Sequence, residues 1–206
     1  MIEAFNKGQD IHSATASKIF KIPLEEVDQD MRRKAKTANF GIIYGITPFG
    51  LSERLTIPRS EAKDLIDEYF GTFSGIKKYM DQSIEKAREQ GYVETVYGRK
   101  RYLPDISSRN ATVRGFAERN AINAPIQGSA ADIIKVAMVR IFNRLEHDNK
   151  KSKMILQVHD ELNFNVVPEE LEYIRDMVVE EMENSYRMNV PLKTEIGVGE
   201  NWLVAH

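Results

Sequence analysis

The segment RRKAKTANFGIIYG, residues 32–45, constrains the fold most strongly because chemically similar side chains recur in it at intervals of four. At roughly 100° per residue, this interval predicts a helical stripe about 120° wide. Two cations and two aromatic residues form the stripe: Arg32, Lys36, Phe40 and Tyr44. Mainly small apolar residues occupy the opposite side and could bury the helix by themselves: Met31, Ala35, Ala38 and Ile42. The segment therefore predicts a helix that leaves the stripe free.

A free stripe of this kind would suit a nucleotide, which is flat at one end and anionic at the other. The aromatic rings could face the flat end while the two cations pair with phosphates. A plain surface helix is the competing interpretation, because helix cations are usually solvated and aromatics at helical spacing usually belong to the core. The stripe by itself leaves both interpretations open.

Composition sets wider limits on the class of protein. A chain of 206 residues with 42% hydrophobic residues can bury a real core, as one large domain or two small ones. The absence of cysteine excludes disulfides and thiolate metal sites. The start of the chain lacks a signal-peptide pattern, and no apolar run approaches membrane-spanning length. We therefore expect a cytoplasmic protein with no membrane partner.

Charge is separated along the chain, although the formal net charge is only -2. Residues 99–119 hold six cations against two acids, a net of +4, whereas residues 165–200 hold nine acids against three cations, a net of -6. This separation would let a protein hold a polyanion at one place and release it elsewhere. Ordinary surface variation explains the charges equally well.

Periodicity and turn residues predict a mainly helical first half. Gly45 and Gly91 should each end a helix, and Pro23 should lie in the first turn of one. The expected elements are helices over 11–20, 23–44 and 72–90, short helices from Pro48 and Arg59, a hairpin over 92–103 that turns at Tyr97-Gly98, and a polar loop over 104–110.

The second half should add antiparallel strands. A helix from Thr112 should stop near Pro125, because proline lacks an amide donor and disfavours helical geometry in the residue before it. The expected elements after that break are a helix to about His147, a hairpin over 154–158 and 162–167, a helix over 169–186 and a strand over 193–198. The fold class is α+β, with a boundary near Arg114 between residues 1–113 and residues 114–206.

The sequence QVHDEL, residues 157–162, should place Asp160 and Glu161 at the tip of the second hairpin. Two adjacent carboxylates repel each other unless a cation neutralises them. Magnesium binds one or two protein carboxylates and completes its shell with water and phosphate oxygens. A plain acidic turn is the alternative for these residues taken alone.

A third group of polar residues recurs at intervals of four: Arg119, Asn123 and Gln127. Four small residues, 128–131, follow and would let another backbone approach closely. Guanidinium and amide donors can contact the minor-groove acceptors that all base pairs share. Helix capping and packing would explain the same residues.

Together these segments resemble family A DNA polymerases. Residues 32–45 match the family's motif B without a gap, and His159-Asp160-Glu161 resembles motif C in the family's order. Four further segments are similar to bacterial members of the family: IHSATASKIF, YGRKRYLPDI, NAPIQGSAADIIK and GENWLVAH. The resemblance covers essentially the whole chain.

The resemblance implies helical fingers over residues 1–113 and part of a palm, with a small antiparallel sheet, over residues 114–206. The implied nucleotide-binding residues are His12, Arg32, Lys36, Phe40 and Tyr44. The implied DNA-binding residues are Arg114, Arg119, Asn123, Gln127 and His159. The implied catalytic residues are Asp160 and Glu161, which would bind two Mg2+ ions, and Lys36, which would act on the leaving pyrophosphate. The implied partners of this expected monomer are primer-template DNA and deoxynucleoside triphosphates, in DNA replication and repair.

One feature of the family is absent from these 206 residues. The family takes a catalytic carboxylate from an upstream strand, Asp-Tyr-Ser-Gln-Ile-Glu, and two-metal transfer needs it. We therefore expect a carboxyl-terminal polymerase fragment that is inactive alone and exposes apolar surface where the missing strands belonged. Two other classes stay open: a non-catalytic DNA-binding module that uses residues 99–119, and a helical scaffold without a ligand.

Overall fold

The computed structural model describes residues 1–205, and its contacts divide the chain after Ser129. The division falls inside one helix of 37 residues, Ala111–His147. The predicted boundary between fingers and palm after residue 113 stays a prediction. His206, the last residue of the GENWLVAH segment, lies outside the described residues.

The first unit, Met1–Ser129, is mainly helical. Its helices before the first strand are α1 (Ile2–Asn6), α2 (Ile11–Phe20), α3 (Gln29–Ile43), α4 (Pro48–Leu55), α5 (Arg59–Thr72) and α6 (Ser74–Gln90). A hairpin of β1 (Tyr92–Glu94) and β2 (Lys100–Tyr102), a 3-10 turn (Pro104–Ser107) and the first part of α7 (Ala111–His147) follow. Gly91 and Gly98 have φ of +78° and +79°, so glycine ends α6 and forms the hairpin turn as predicted.

The prediction of a helix from Pro23 is wrong at its start. Pro23 precedes a separate 3-10 turn, Leu24–Glu26, and Val27 is extended. Helix α3 begins only at Gln29, because the Asp28 side chain accepts a hydrogen bond from the Met31 amide at 2.7 Å. The predicted end is confirmed, since Gly45 adopts a φ of +74° directly after the helix.

The core of the first unit explains which face of α3 is buried. Ala38 and Ile42 are 0% and 2% exposed and pack with residues of α2, α4 and α5. That cluster comprises Ile19, Ala38, Ile42, Leu51, Leu55, Ala62, Leu65, Ile66 and Tyr69. A second cluster joins α6, the hairpin and α7 through Ala87, Val93, Leu103, Ile106, Ala117 and Ala121. The small apolar face of α3 is therefore the part of the helix that packs in this core.

The predicted break at Pro125 is wrong, because α7 continues through this residue. A proline inside a helix costs roughly 3 kcal/mol, so neighbouring contacts must compensate. The Ser129 hydroxyl donates to the Pro125 carbonyl at 2.5 Å and accepts from the Val96 amide at 2.9 Å. Arg99 also donates to the Gly128 carbonyl at 3.1 Å. These contacts dock the hairpin of β1 and β2 on the helix turn that follows Pro125.

The second unit, from Ala130 onward, contains the rest of α7 and an antiparallel hairpin. Its further elements are β3 (Lys153–Val158), β4 (Glu161–Asn165), a 3-10 turn (Pro168–Glu170), α8 (Leu171–Glu183) and α9 (Trp202–Ala205). Helices α7 and α8 supply its buried core: Ala137, Ile141, Leu145, Ile174 and Met177. The α+β class with two small antiparallel sheets is confirmed.

A further prediction concerns a strand near the end of the chain. The expected strand over residues 193–198 is wrong, because a strand needs a hydrogen-bonded neighbour and none among the described residues pairs with it. The Thr194 amide instead donates to the Glu183 carboxylate at 2.9 Å. Strand β3 leaves Ile155 and Leu156 64% and 49% exposed. That such apolar surface marks the place of the missing strands stays a prediction. Within residues 1–205, no helix has both the length and the apolar character that crossing a membrane requires.

Candidate functional site

The stripe predicted on α3 lies on the exposed side of the helix. Phe40 and Tyr44 are 50% and 49% exposed, although aromatic side chains of this size are usually buried. Lys36 is exposed and Arg32 is half-buried. Because the small apolar face packs in the core, the four side chains of the stripe lie at the surface of the helix, where a ligand can reach them.

Arg32 is held by a carboxylate from the start of α2. Its Nε and Nη2 donate to Asp10 Oδ1 and Oδ2 at 3.1 and 2.8 Å. Asp10 also caps α2, since its Oδ1 accepts from the Ser13 amide at 2.7 Å. The Arg32 guanidinium therefore holds the pKa of Asp10 well below its usual range. Lys36 has no carboxylate within ion-pair distance among residues 1–205, so one cation of the stripe is paired and the other is free.

His12 joins the stripe from α2. Its ring centroid lies 5.6 Å from that of Phe40, with the planes at 49°. Behind it, Asn39 Nδ2 lies 3.1 Å from His12 Nδ1 and 3.1 Å from Thr15 Oγ1. Burial lowers the pKa of His12, and the nearby positive charges of Arg32 and Lys36 lower it further. A neutral imidazole beside a pair of cations can donate a hydrogen bond without adding charge.

One predicted DNA-binding residue of α7, Arg119, lies beside the end of the stripe. A Cβ on Gly45 would lie 3.0 and 3.1 Å from Arg119 Cγ and Cδ, so the Arg119 stem packs on the backbone next to Tyr44. The Arg119 guanidinium carbon lies 6.0 Å from the centre of the Phe116 ring. The contact between Arg119 and Gly45 joins α7 to the end of α3, which are far apart in the sequence.

The other predicted DNA-binding residues of α7 differ in their exposure and in their hydrogen-bond partners. Arg114 Nη1 donates to the Ser108 carbonyl at 2.9 Å, and its Nε lies 3.8 Å from Glu118. Asn123 is half-buried, and its Oδ1 has no hydrogen-bond partner among the described residues. Gln127 is exposed. Arg119, Asn123 and Gln127 share one side of α7 because the helix continues through Pro125.

The predicted acidic turn lies in the second unit and is a two-residue hairpin turn. Val158 pairs with Glu161, so only His159 and Asp160 lie in the turn. The expectation that both carboxylates share the tip is therefore wrong for Glu161, which begins β4 and accepts from Trp202 Nε1 at 3.2 Å. His159 has a φ of +53°, a conformation rare outside glycine, and its carbonyl accepts from Gln157 Nε2 at 2.9 Å.

Asp160 fits a magnesium ligand by its donor chemistry. Its carboxylate is exposed at the turn and has no cation within ion-pair distance among residues 1–205. In the same residues, no three His, Cys, Asp or Glu side chains form a ready-made metal cluster. Magnesium needs only one or two protein carboxylates when water and phosphate oxygens fill its other positions. Asp160, with Glu161 beside it, suits such an ion.

Sequence reasoning missed two residues of the first unit, Asp10 and Asn39. Asp10 carries a recognisable signal as the residue before a helix, but its arginine partner lies 22 positions away. Asn39 falls on the buried side of α3, where a polar residue predicts a hydrogen-bonded partner without naming it. Only the packing of α2 against α3 identifies both partners.

Comparison with known proteins extends these observations. The chain matches the model of DNA polymerase family A over residues 1–204. DNA polymerase I of Geobacillus stearothermophilus is 50% identical over 202 residues, which are 98% of this chain and 23% of that protein. DNA polymerase I of Bacillus subtilis (strain 168) is 48% identical over 202 residues, with the same shares of 98% and 23%. The chain thus spans about a quarter of the length of these relatives.

A solved structure shows the same likeness. The POL domain of Pol1 from M. smegmatis, in complex with DNA primer-template and dNTP, matches with a TM-score of 0.94 and 45% sequence identity. The match covers 99% of this chain and 36% of that chain.

Proposed function

The chain belongs to DNA polymerase family A, and from this premise we propose that it supplies the nucleotide-binding helix and a metal-binding carboxylate for template-directed DNA synthesis. In that reaction the primer 3' oxygen forms a bond to the α-phosphorus of a deoxynucleoside triphosphate, and the bond to the β-phosphate oxygen breaks to release pyrophosphate. The observation that carries the proposal is the exposed stripe of α3, which presents two cations and two rings on a helix buried through its other face.

The stripe divides into a phosphate end and a base end. Arg32 and Lys36 bind the triphosphate, and Lys36 also neutralises or protonates the leaving pyrophosphate. The free ammonium of Lys36 supports this role, since no carboxylate within residues 1–205 competes for it. His12 donates a hydrogen bond to the phosphates. Phe40 packs on the sugar, and Tyr44 offers a stacking surface near the templating base.

The carboxylate of Asp160, with Glu161 as its neighbour, holds magnesium in this proposal. When bound, two such ions stabilise charge on the attacking and leaving oxygens. The two-residue turn holds Asp160 in a fixed position at the end of two paired strands, and the exposure of its carboxylate leaves room for water and phosphate ligands.

Primer-template DNA is the macromolecular partner. Arg119, Asn123 and Gln127 contact the minor groove, where donors can test the shape of a base pair without reading its sequence. Arg114 lies near the template and His159 near the primer terminus. In this proposal the working protein is a cytoplasmic monomer that serves DNA replication and repair.

These 206 residues by themselves are inactive in this proposal. They contain no Asp-Tyr-Ser-Gln-Ile-Glu segment, and two-metal transfer needs carboxylates from both sides of the metal pair. With magnesium, primer-template and all four deoxynucleotides, we expect no measurable extension by the 206-residue chain. Robust extension by a preparation free of contaminating polymerase would refute this part.

Primer extension by the full-length polymerase that carries these residues tests the proposal. We expect Asp160→Asn to lower the rate by at least about a hundredfold, with little change in DNA affinity. Asp176→Asn is the matched control, because Asp176 is an exposed carboxylate on α8, and it should extend like the wild type. Full extension by Asp160→Asn would overturn the catalytic role. DNA binding without magnesium-dependent extension would favour the non-catalytic DNA-binding module.

A further inference from the structure

A buried hydrogen-bond chain lies directly behind His12. Asn39 is 8% exposed, and its Nδ2 lies 3.1 Å from both Thr15 Oγ1 and His12 Nδ1. Thr15, 1% exposed, donates from its hydroxyl to the Ile11 carbonyl at 2.7 Å. The chain therefore runs from a backbone carbonyl of α2, through one side chain of α2 and one of α3, to the inner nitrogen of the imidazole.

We propose that Asn39 is a positioning residue that holds His12 as the neutral tautomer with its proton on Nε2, the nitrogen that faces away from Asn39. Only the use of this tautomer rests on the proposed function, in which His12 donates a hydrogen bond to the phosphates of the nucleotide. The tautomer itself follows from the hydrogen-bond chain.

The Asn39 amide is oriented with Nδ2 towards Thr15 and His12, and its Oδ1 has no hydrogen-bond partner among the described residues. In this orientation the donors and acceptors of the chain permit one arrangement. A hydroxyl has a single hydrogen, and that of Thr15 is used on the Ile11 carbonyl, so Thr15 can only accept from Asn39. The amide nitrogen of Asn39 must therefore face Thr15. Its second hydrogen points to His12 Nδ1, which must accept it. A neutral imidazole with an accepting Nδ1 carries its hydrogen on Nε2.

The charges around His12 favour the same neutral form. Arg32 and Lys36, on α3, disfavour a third positive charge, whereas Asp10, the cap residue of α2, favours it. Burial is the largest influence and lowers the pKa of His12. The Arg32 guanidinium already occupies both oxygens of Asp10, which leaves less of that negative charge to the imidazole. The neutral ring therefore donates a hydrogen bond from Nε2 in one direction, beside the cations Arg32 and Lys36.

This role differs from that of a second phosphate-binding cation. A protonated imidazole would donate from both nitrogens and would leave the Asn39 amide hydrogen facing another hydrogen. Because Asn39 is the residue before Phe40 on α3, the imidazole is also tied to the helix that carries the stripe. Asn39 therefore fixes both the proton and the plane of the ring, which contacts Phe40 at 5.6 Å.

Long-range 1H–15N spectra of the imidazoles in the 15N-labelled 206-residue chain test the inference. In the wild type we expect His12 to show the Nε2-protonated tautomer and to titrate below its usual pKa of 6.5. Asn39→Asp offers a carboxylate that can only accept, so it should move the proton to Nδ1 and raise the pKa of His12 above that of the wild type. Thr15→Ser keeps the hydroxyl and should keep the wild-type spectrum.

The wild-type spectrum decides the inference even if a variant fails to fold. A His12 protonated on Nδ1, or an unchanged tautomer in folded Asn39→Asp, would overturn it. His147 and His159 serve as internal references, because neither lies in this hydrogen-bond chain. The use of the tautomer is tested separately in the full-length polymerase, where Asn39→Asp should raise KM for the nucleotide about tenfold and alter its pH profile. An unchanged KM and pH profile would refute the role of His12 at the phosphates and leave the tautomer standing.

Discussion

The carboxylate of Asp10 accepts two hydrogen bonds from the guanidinium of Arg32, at 3.1 and 2.8 Å. Arg32 is proposed to bind a triphosphate, yet its charge is already partly balanced by this carboxylate. The pair is 36% and 43% exposed at its side chains, so solvent screens it and an incoming anion can reach it. Asp10 therefore orients the Arg32 guanidinium, and its negative charge also repels the triphosphate that Arg32 is proposed to bind.

Replacing Asp10 by Asn should strengthen triphosphate binding. Asparagine caps a helix as well as aspartate does, so α2 keeps its cap, while one negative charge beside the phosphates is removed. We expect a gain in affinity of a few-fold, about 1 kcal/mol, when calorimetry measures nucleotide binding at low ionic strength. Asp28→Asn is the matched control, since Asp28 caps α3 through the Met31 amide. Weaker binding by Asp10→Asn would show that orienting Arg32 outweighs the repulsion.

Replacing Phe40 by Tyr in the full-length polymerase should ease the incorporation of nucleotides that lack a 3' hydroxyl. The Phe40 ring is half-exposed and has no hydroxyl at the position proposed to face the sugar, so a tyrosine hydroxyl could supply the missing polar group. One hydrogen bond corresponds to about a tenfold fall in discrimination, measured as the ratio of kcat/KM for the two nucleotides. Phe49→Tyr, at another exposed phenylalanine, should leave this ratio unchanged. Equal discrimination by Phe40→Tyr and the wild type would argue against the sugar contact.

Ser129→Ala should destabilise the first unit by about 1–2 kcal/mol. The Ser129 hydroxyl links the Pro125 carbonyl to the Val96 amide, and its removal leaves that amide without this partner. Chemical denaturation of the two proteins measures the difference. Ser83→Ala is the control, because Ser83 also donates to a carbonyl four residues earlier but accepts from no backbone amide among the described residues. Equal effects of the two substitutions would show that the hydrogen bond between Ser129 and the Val96 amide contributes nothing to stability.

Glu170→Gln should lower the melting temperature at neutral pH but not in strong acid. Glu170 accepts from the Lys151 and Ser152 amides and from the Ser152 hydroxyl, which lowers its pKa from 4.5 to about 2. Because the folded pKa lies below the unfolded value, its stabilisation is full above pH 4.5 and is lost as the pH falls towards 2. Melting curves across this range should show the gap between variant and wild type closing. Glu169→Gln should show no such pattern, and a gap that is constant with pH would contradict the prediction.

Local sequence signals predicted the elements whose boundaries depend on local chemistry. Helix α2 has the expected bounds, Ile11–Phe20, and glycine stops the chain after α3 and α6 as predicted. The two-sided character of α3 also followed from spacing, because a helix repeats its faces every 3.6 residues whatever surrounds it. The exposed stripe and the acidic turn at Asp160 could therefore be predicted from the sequence alone.

The errors arose where distant contacts overrode a local preference. Pro125 disfavours a helix locally, but Val96 and Arg99 of the hairpin contact Ser129 and Gly128 and support the helix from outside. The β-branched residues near the end of the chain favour a strand, but a strand forms only when another strand pairs with it.

The sequence by itself determined that two cations and two rings share one face of a helix, and that Asp160 lies in a hairpin turn. Tertiary structure alone decided that Asp10 pairs with Arg32, that Asn39 contacts His12, and that Arg119 packs against Gly45. The physical reason is that periodicity sets the direction in which a side chain points, whereas hydrogen bonds and charges act over a few ångströms, and only folding brings residues from distant parts of a chain that close.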